Sequence, residues 1–369
     1  MNFNLSIKEY VNFLFINEKN KLISKEIKFE KSLNPEITII MLVYNQAHCL
    51  HKCLRSIQNQ SLKDIEIIIV DDCSLDNSTE LIKEYQIEDP RIILIQHHTN
   101  EGRIKARSDG IKKANGKYIT LIDGDDAFIH KDILKNSLFV AKKANLDVIE
   151  FKGFEFKMGN FTRLIKYYPR INLKYIIHQP ELRTKFIFMN EKFPSDFVNR
   201  AIWGKLIKKK LFNKILSDIG VEYTEDFINF AEDTLMVFSL LHLANSYYLL
   251  NEIGYLYFQG PKEKGFPFLK NKICKINYKI KNFDSFKFLK FLIEKNIHNE
   301  LEEKMIYNEL MAINYNYYFN NFKLEETHYQ IMFYIFDKAL EFNYLNNEQK
   351  SDIINLKNAT IKIKKGIKI

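Results

Sequence analysis

The chain has 369 residues, 46% of them hydrophobic, and its 55 Lys and Arg outnumber 46 Asp and Glu for a net charge of +9. That length allows one large domain with a smaller one, and this hydrophobic content with charges of mixed sign excludes wholesale disorder. The positive balance suits an anionic partner such as nucleic acid, a membrane surface or a phosphorylated substrate, and equally a Lys-, Asn- and Ile-rich chain that needs only solubility.

The four cysteines, Cys49, Cys53, Cys73 and Cys274, form no CxxC pair, so neither a zinc site nor a disulfide framework is indicated. Reduced, buried thiols in a cytosolic protein are the expectation. The N-terminal MNFNLSIKEYVNFLF is too interrupted by charge for a signal peptide, and no run reaches the ~20 apolar residues of a membrane span.

Three zones follow in chain order: a Lys-rich helical lead-in over 1–35, alternating strand and helix signals over 36–260, and a helical, aromatic and basic region over 261–369. In the middle zone, Ile37 to Tyr44 is a nearly continuous apolar run, the mark of a strand buried on both faces. Leu50, Cys53, Leu54 and Ile57 recur at helical spacing. Ile65 to Val70 is a second buried strand ending at Asp71-Asp72, after which Asp76 or Ser78 is placed to cap a helix carrying Leu81, Ile82 and Tyr85. Arg91 to Gln96 is a third strand, Ile104 to Ala114 a helix, and Tyr118 to Ile122 a fourth strand ending at Asp123. This alternation predicts an α/β fold with a parallel sheet covered by helices. The polar residues cluster just after strands, where ligands of open parallel sheets bind.

The densest of these clusters is Asp123-Gly124-Asp125-Asp126. Three carboxylates so close repel one another unless a cation or solvent neutralises them. Oxygen-only ligands suit Mg²⁺ or Mn²⁺, which also take phosphate oxygens; an acidic surface turn is the plainer alternative. Asp71 and Asp72 can accept hydrogen bonds from a base or ribose, or serve turn chemistry before Asp76. Arg103 and Arg107 lie one helical turn apart and can clamp phosphates, or form a solvated helix face. Glu232-Asp233 precedes an apolar stretch, where an acidic pair favours a helix start and a carboxylate can also serve as a general base.

Together these segments resemble the family 2 glycosyltransferases, inverting enzymes of GT-A fold. The resemblance rests on Val43-Tyr44-Asn45, Ser56 to Ser61, Ile69 to Ser74, Asp76-Asn77-Ser78, Asn100-Glu101-Gly102, Ala106 to Gly110, Gly116 to Ile119 and Asp123 to Asp126. It is dense over 36–150, weakens to 230, and returns at Trp203-Gly204-Lys205-Leu206 and Glu232-Asp233. It implies a GT-A mixed sheet with a helical C-terminal extension. Val43, Tyr44 and Asn45 would line the nucleotide pocket, and Asp72 would meet the base with Asp71 beside it. Arg103 and Arg107 would face the diphosphate. Asp123, Gly124 and Asp125 would form the DxD motif, with Asp123, Asp125 and Asp126 around Mn²⁺ or Mg²⁺. Asp233 would be the catalytic base, Glu232 would stand near the acceptor, and Trp203 and Lys205 would stand on the acceptor side. The sequence departs from the family pattern at Cys73, in place of the usual Gly, which argues against a strongly left-handed backbone there. It departs again at Gly124, in place of the commoner Ser.

The resemblance further implies a UDP-linked donor, a glycan or glycolipid acceptor in bacterial surface-glycan synthesis, and a cytoplasmic protein that can sit on the inner face of the cell membrane. The basic tail, with Lys362, Lys364, Lys365 and Lys368, either docks on that surface or is a solvated helix face. Two rivals remain: a catalytically inactive nucleotide-sugar-binding protein and a DxD phosphatase, although the latter's motif usually follows the first strand. The absence of RRM, zinc-finger and KH signatures argues against nucleic acid as the partner.

Overall fold

The structure, a computed structural model, describes residues 29–157, 165–168, 175–179, 182, 201–220, 232–259, 287, 289–295, 300–312 and 326–366. Most of the expected lead-in, Cys274, the aromatic run from Tyr315 to Phe322 and Lys368 lie outside them. The chain divides into two compact units, residues 1–227 with 236–262, and residues 228–235 with 263–369.

The first unit opens as the apolar runs foretell: β1 (Ile37–Val43), α1 (Ala47–Gln58), β2 (Ile65–Asp71), α2 (Ser78–Glu88), β3 (Ile92–Gln96), α3 (Arg103–Lys113) and β4 (Tyr118–Asp123). After these come β5 (Ala127–Phe128), α4 (Ile133–Lys143), β6 (Val148–Lys157), β7 (Ile165–Tyr168), β8 (Ile177–His178), β9 (Lys205–Lys208), α5 (Lys209–Ile219), α6 (Glu232–Leu243), whose residues up to Leu235 fall in the second unit, and β10 (Ser246–Gln259).

One 10-stranded sheet runs in the order β3-β2-β1-β4-β9-β6-β10-β5, with β7 on β6 and β8 on β10. The β3-β2-β1-β4 half is parallel, and β9 joins it antiparallel on β4. The sheet is therefore mixed. Parallel strands covered on both faces explain the unbroken apolar runs: Ile37, Ile39, Ile40, Met41, Ile67, Ile68 and Ile69 are all fully buried. Each such side chain contributes roughly 1.5–3 kcal/mol. Helix α1 turns Leu50, Cys53, Leu54 and Ile57 onto the sheet, and Cys49 and Cys53 are free thiols inside, as expected. Because β1, β2 and β4 run parallel in register, Val43, Asp71 and Asp123 all arrive at the same sheet edge.

The second unit contains α7 (Glu300–Ala312), α8 (Glu326–Leu340) and α9 (Asn347–Lys364). A capping box between Asn346 and Gln349 starts α9. The fully buried Glu303 carboxylate accepts the Asn343 and Tyr344 amides at 3.1 and 2.6 Å, which ends the α8 connection inside the unit. Lys364 pairs with Glu326 at 2.6 Å and lies over the Tyr329 ring, so this lysine of the basic tail is engaged within the helix pair.

Candidate active site

The loops at the carboxyl edge are stitched to one another. Asn45, at φ 54, receives Leu75 N–H on its side-chain oxygen at 2.7 Å, and its own N–H donates to Ser74 Oγ at 2.9 Å. The Ala47 N–H donates to Asp76 Oδ2 at 3.0 Å, and Ser78 N–H to Asp76 Oδ1 at 3.0 Å. Asp76 thus braces the loop after β1 as well as the turn before α2, and Asn77 stands at the cap without a side-chain bond. The Asp71 carboxylate takes Ser74 N–H at 3.0 Å and the Thr79 hydroxyl. Tyr44 is half exposed, whereas the Val43 side chain is buried in the core, so Val43 can offer the pocket only its backbone edge. Cys73 lies at φ 67: the left-handed turn forms without glycine, contrary to the expectation from sequence. A hydrogen bond from Cys73 Sγ to His98 O at 3.4 Å and the Asp71 bracing around it hold that conformation.

Asp72 anchors the next loop. Its Oδ1 accepts from Glu101 N–H and meets His97 Nδ1, both at 2.8 Å, and its Oδ2 accepts Gly102 N–H at 2.9 Å. Gly102 sits at φ 85, a conformation open to glycine, and leads directly into α3. His97 Nε2 lies 3.4 Å from Asp109 Oδ2, while Lys105 Nζ lies 3.1 Å from Asp109 Oδ1. His97, Glu101 and Asp109 bring ligand atoms within 4.8 Å of one another, and the lysine already offsets that charge. Asp72, expected to meet the base, and Asp71 beside it both hold loops in shape, the turn chemistry that was the alternative for them. His97 has no motif to announce it and was missed in the sequence.

The acidic turn follows β4. Gly124 N–H donates to Leu42 O at 3.1 Å and Asp126 N–H to Asp123 O at 3.0 Å, folding the four residues tightly. An oxygen from each of Asp123, Asp125 and Asp126 lies within 4.8 Å of the others. Burial, and then the neighbouring Asp123, push the Asp125 carboxyl up to about 6, against the pull of its own backbone hydrogen bond, Arg103 and His48. The same field reaches α1, where burial and the Asp125 charge push the Cys49 thiol up to about 12. Arg107 is buried, with Nη2 3.7 Å from Asp123 Oδ1, so it acts on the acidic turn itself rather than as part of a solvated helix face.

Asp126 is fully buried, and burial with the Asp125 and Asp123 charges raises its carboxyl well above the usual range. Its Oδ2 accepts the Tyr255 hydroxyl at 2.6 Å and its Oδ1 the Phe258 N–H at 2.9 Å. Asp126 is therefore held inward, and Asp123 and Asp125, each partly exposed, are the carboxylates turned outward. Two hard oxygen donors under mutual repulsion fit Mg²⁺ or Mn²⁺.

Trp203 lies against this turn through Tyr255, stacked on its ring at 4.4 Å and 7°. Lys205, expected on the acceptor side, has a fully buried side chain that donates to Ala201 O at 2.8 Å and pairs with Glu150 at 3.4 Å. Burial of an ammonium demands such partners, and here one is a carboxylate on β6 and the other a carbonyl just before β9. Glu232, buried, and Asp233, half-buried, open α6, where an acidic pair favours the helix start; both belong to the second unit.

A mixed sheet that gathers polar loops and an acidic turn at one edge has the architecture of the GT-A fold. S. aureus TarS residues 1–349 share this fold, with a TM-score of 0.55 at 16% identity, covering 90% of this chain and 92% of that one. The same protein in complex with UDP-GlcNAc gives 0.58. Residues 38–214 match the model of glycosyl transferase family 2. The uncharacterized glycosyltransferase EpsJ of Bacillus subtilis is 30% identical over 245 residues, which is 66% of this chain and 64% of that one. The glycosyltransferase GlyA of Streptococcus pneumoniae is 32% identical over 202 residues, 53% of this chain and 28% of that one. The chain thus spans less than two thirds of the length of both relatives. Among the described residues, no helix is long and apolar enough to cross a membrane.

Proposed function

We propose that this chain transfers a hexose or N-acetylhexosamine from a UDP-linked donor to a hydroxyl of a glycan or glycolipid acceptor, with inversion at the anomeric carbon. The acidic turn carries this reading: Asp123 and Asp125 turn outward at the tip of β4, Arg107 lies against Asp123, and the Arg103 charge acts on Asp125. Likeness of fold to a protein solved with UDP-GlcNAc supports a UDP-linked donor. The destination in this reading is a surface polysaccharide or lipooligosaccharide, with the chain working at the inner face of the membrane.

In this reading the loops braced by Asp71 and Asp72 receive the base and ribose beside Tyr44 and Asn45. Asp123 and Asp125 would hold Mg²⁺ or Mn²⁺, which when bound would offset the charge of the diphosphate. Arg103 stands on the diphosphate side, and Trp203 borders the sugar. The acceptor oxygen attacks the anomeric carbon as its proton passes to Asp233. The bond from that carbon to the diphosphate oxygen breaks, and the electron pair leaves with the diphosphate. Glu232 stands near the acceptor.

A panel of nucleotide sugars incubated with the full chain and Mn²⁺ tests this. We expect release of UDP from one UDP-sugar, accelerated by an acceptor glycan, and a loss on the order of 10²-fold in turnover for Asp233→Asn. Binding of UDP without turnover of any donor would identify an inactive binding protein instead. Release of inorganic phosphate from phosphomonoesters would identify a phosphatase.

A further inference from the structure

Tyr255 carries none of the roles above, yet its hydroxyl meets two residues of the acidic turn. It donates to Asp126 Oδ2 at 2.6 Å and accepts the Asp123 N–H at 3.4 Å. Three features of the fold converge on this one side chain. The register of β10 on β6 shifts between Ile253 and Tyr255, and such irregularities re-aim a side chain. Trp203 stacks on the Tyr255 ring at 4.4 Å and 7°, and lies at 5.7 Å and 13° from Tyr257. Gly153 leaves room for the indole, since a Cβ there would come within 2.8 Å of Trp203 Cζ3.

A turn bearing three carboxylates tends to splay in water. Here one is drawn into the core and the backbone of another is tied to the same phenol. We propose that Tyr255, fixed by Trp203, is a positioning residue that sets the aim of Asp123 and Asp125 toward a divalent cation and a nucleoside diphosphate. This rests on the reading of the acidic turn given above. It gives Trp203 a task through Tyr255 that needs no contact with sugar.

Calorimetric titration of UDP into the full chain, with and without Mn²⁺, tests the assignment. Tyr255→Phe keeps the ring and its stack and removes only the hydroxyl. We expect the affinity gained on adding Mn²⁺ to fall about tenfold while the metal-free affinity for UDP stays within about twofold. A role confined to stability would lower the thermal midpoint and leave that ratio alone. Should Tyr255→Phe not fold, Trp203→Phe loosens the stack without touching a carboxyl and should lower the same ratio about threefold. An unchanged ratio in the folded variant overturns the proposal for Tyr255 alone. A wild-type chain whose UDP affinity ignores Mn²⁺ overturns both this and the metal reading of the acidic turn.

Discussion

The side-chain oxygen of Gln46 lies 2.4 Å from the point that a Cβ on Gly124 would occupy. Glycine at the centre of the acidic turn is thus matched to a glutamine just after β1, whose buried oxygen has no hydrogen-bond partner among the described residues. Gly124→Ala should push Gln46 aside and lower stability by about 1–2 kcal/mol, the scale of overpacking. In a Gln46→Ala background the same change should cost less, a coupling of about 1 kcal/mol in denaturant unfolding. Strict additivity would show that the two sites do not share this space.

The Asp125 carboxyl, raised to about 6 from an ordinary 3.8, binds its proton more tightly in the folded chain than in the unfolded one. Between those values the native state holds the extra proton, so stability falls as pH rises through the window. At pH 7 the ionised group costs up to about 3 kcal/mol. In metal-free protein, Asp125→Asn should therefore raise the thermal midpoint at pH 7.5 by on the order of 5 °C, with the gain largely gone near pH 4. Mn²⁺ should raise the midpoint of the wild type and not of the variant. A variant no more stable than wild type at pH 7.5 would contradict the crowding of these acids.

Lys205 and Glu150 are both fully buried and pair at 3.4 Å, and the Tyr247 hydroxyl also reaches Glu150. Lys205→Met strands a buried carboxylate and should cost about 3–5 kcal/mol, whereas Lys205→Met with Glu150→Gln should recover most of it. Kinetics on the stabilised double variant separate packing from catalysis. An acceptor KM within about twofold of wild type fits a structural lysine. A large rise confined to acceptor KM would restore Lys205 to the acceptor side.

The half of the site built from adjacent parallel strands was legible in the sequence. Apolar runs at Ile37, Ile65 and Tyr118 end in polar residues, and parallel register brings those ends to one edge. What was hidden comes from chain far away. Tyr255 meets Asp126 across 129 positions, and a tyrosine among the aromatics of β10 carries no sign of its target. Lys205 reads as functional because it follows Trp203 in a family motif, and only its full burial against Glu150 of β6 shows a structural partner. At Cys73 the residue type argued against a left-handed turn, and the hydrogen bonds around Asp71 outweigh that local preference.

The bracing by Asp71, Asp72, Asp76 and Asn45 has one more consequence. Under the proposed function, a nucleotide entering between these loops would find walls already set, with little chain left to immobilise on arrival. Such a mouth discriminates by shape: a well-matched nucleotide loses little on entry, and a poorly matched one cannot coax the walls to adapt. Its choice of base should therefore be narrow, and the breadth of the panel it accepts would register that rigidity directly.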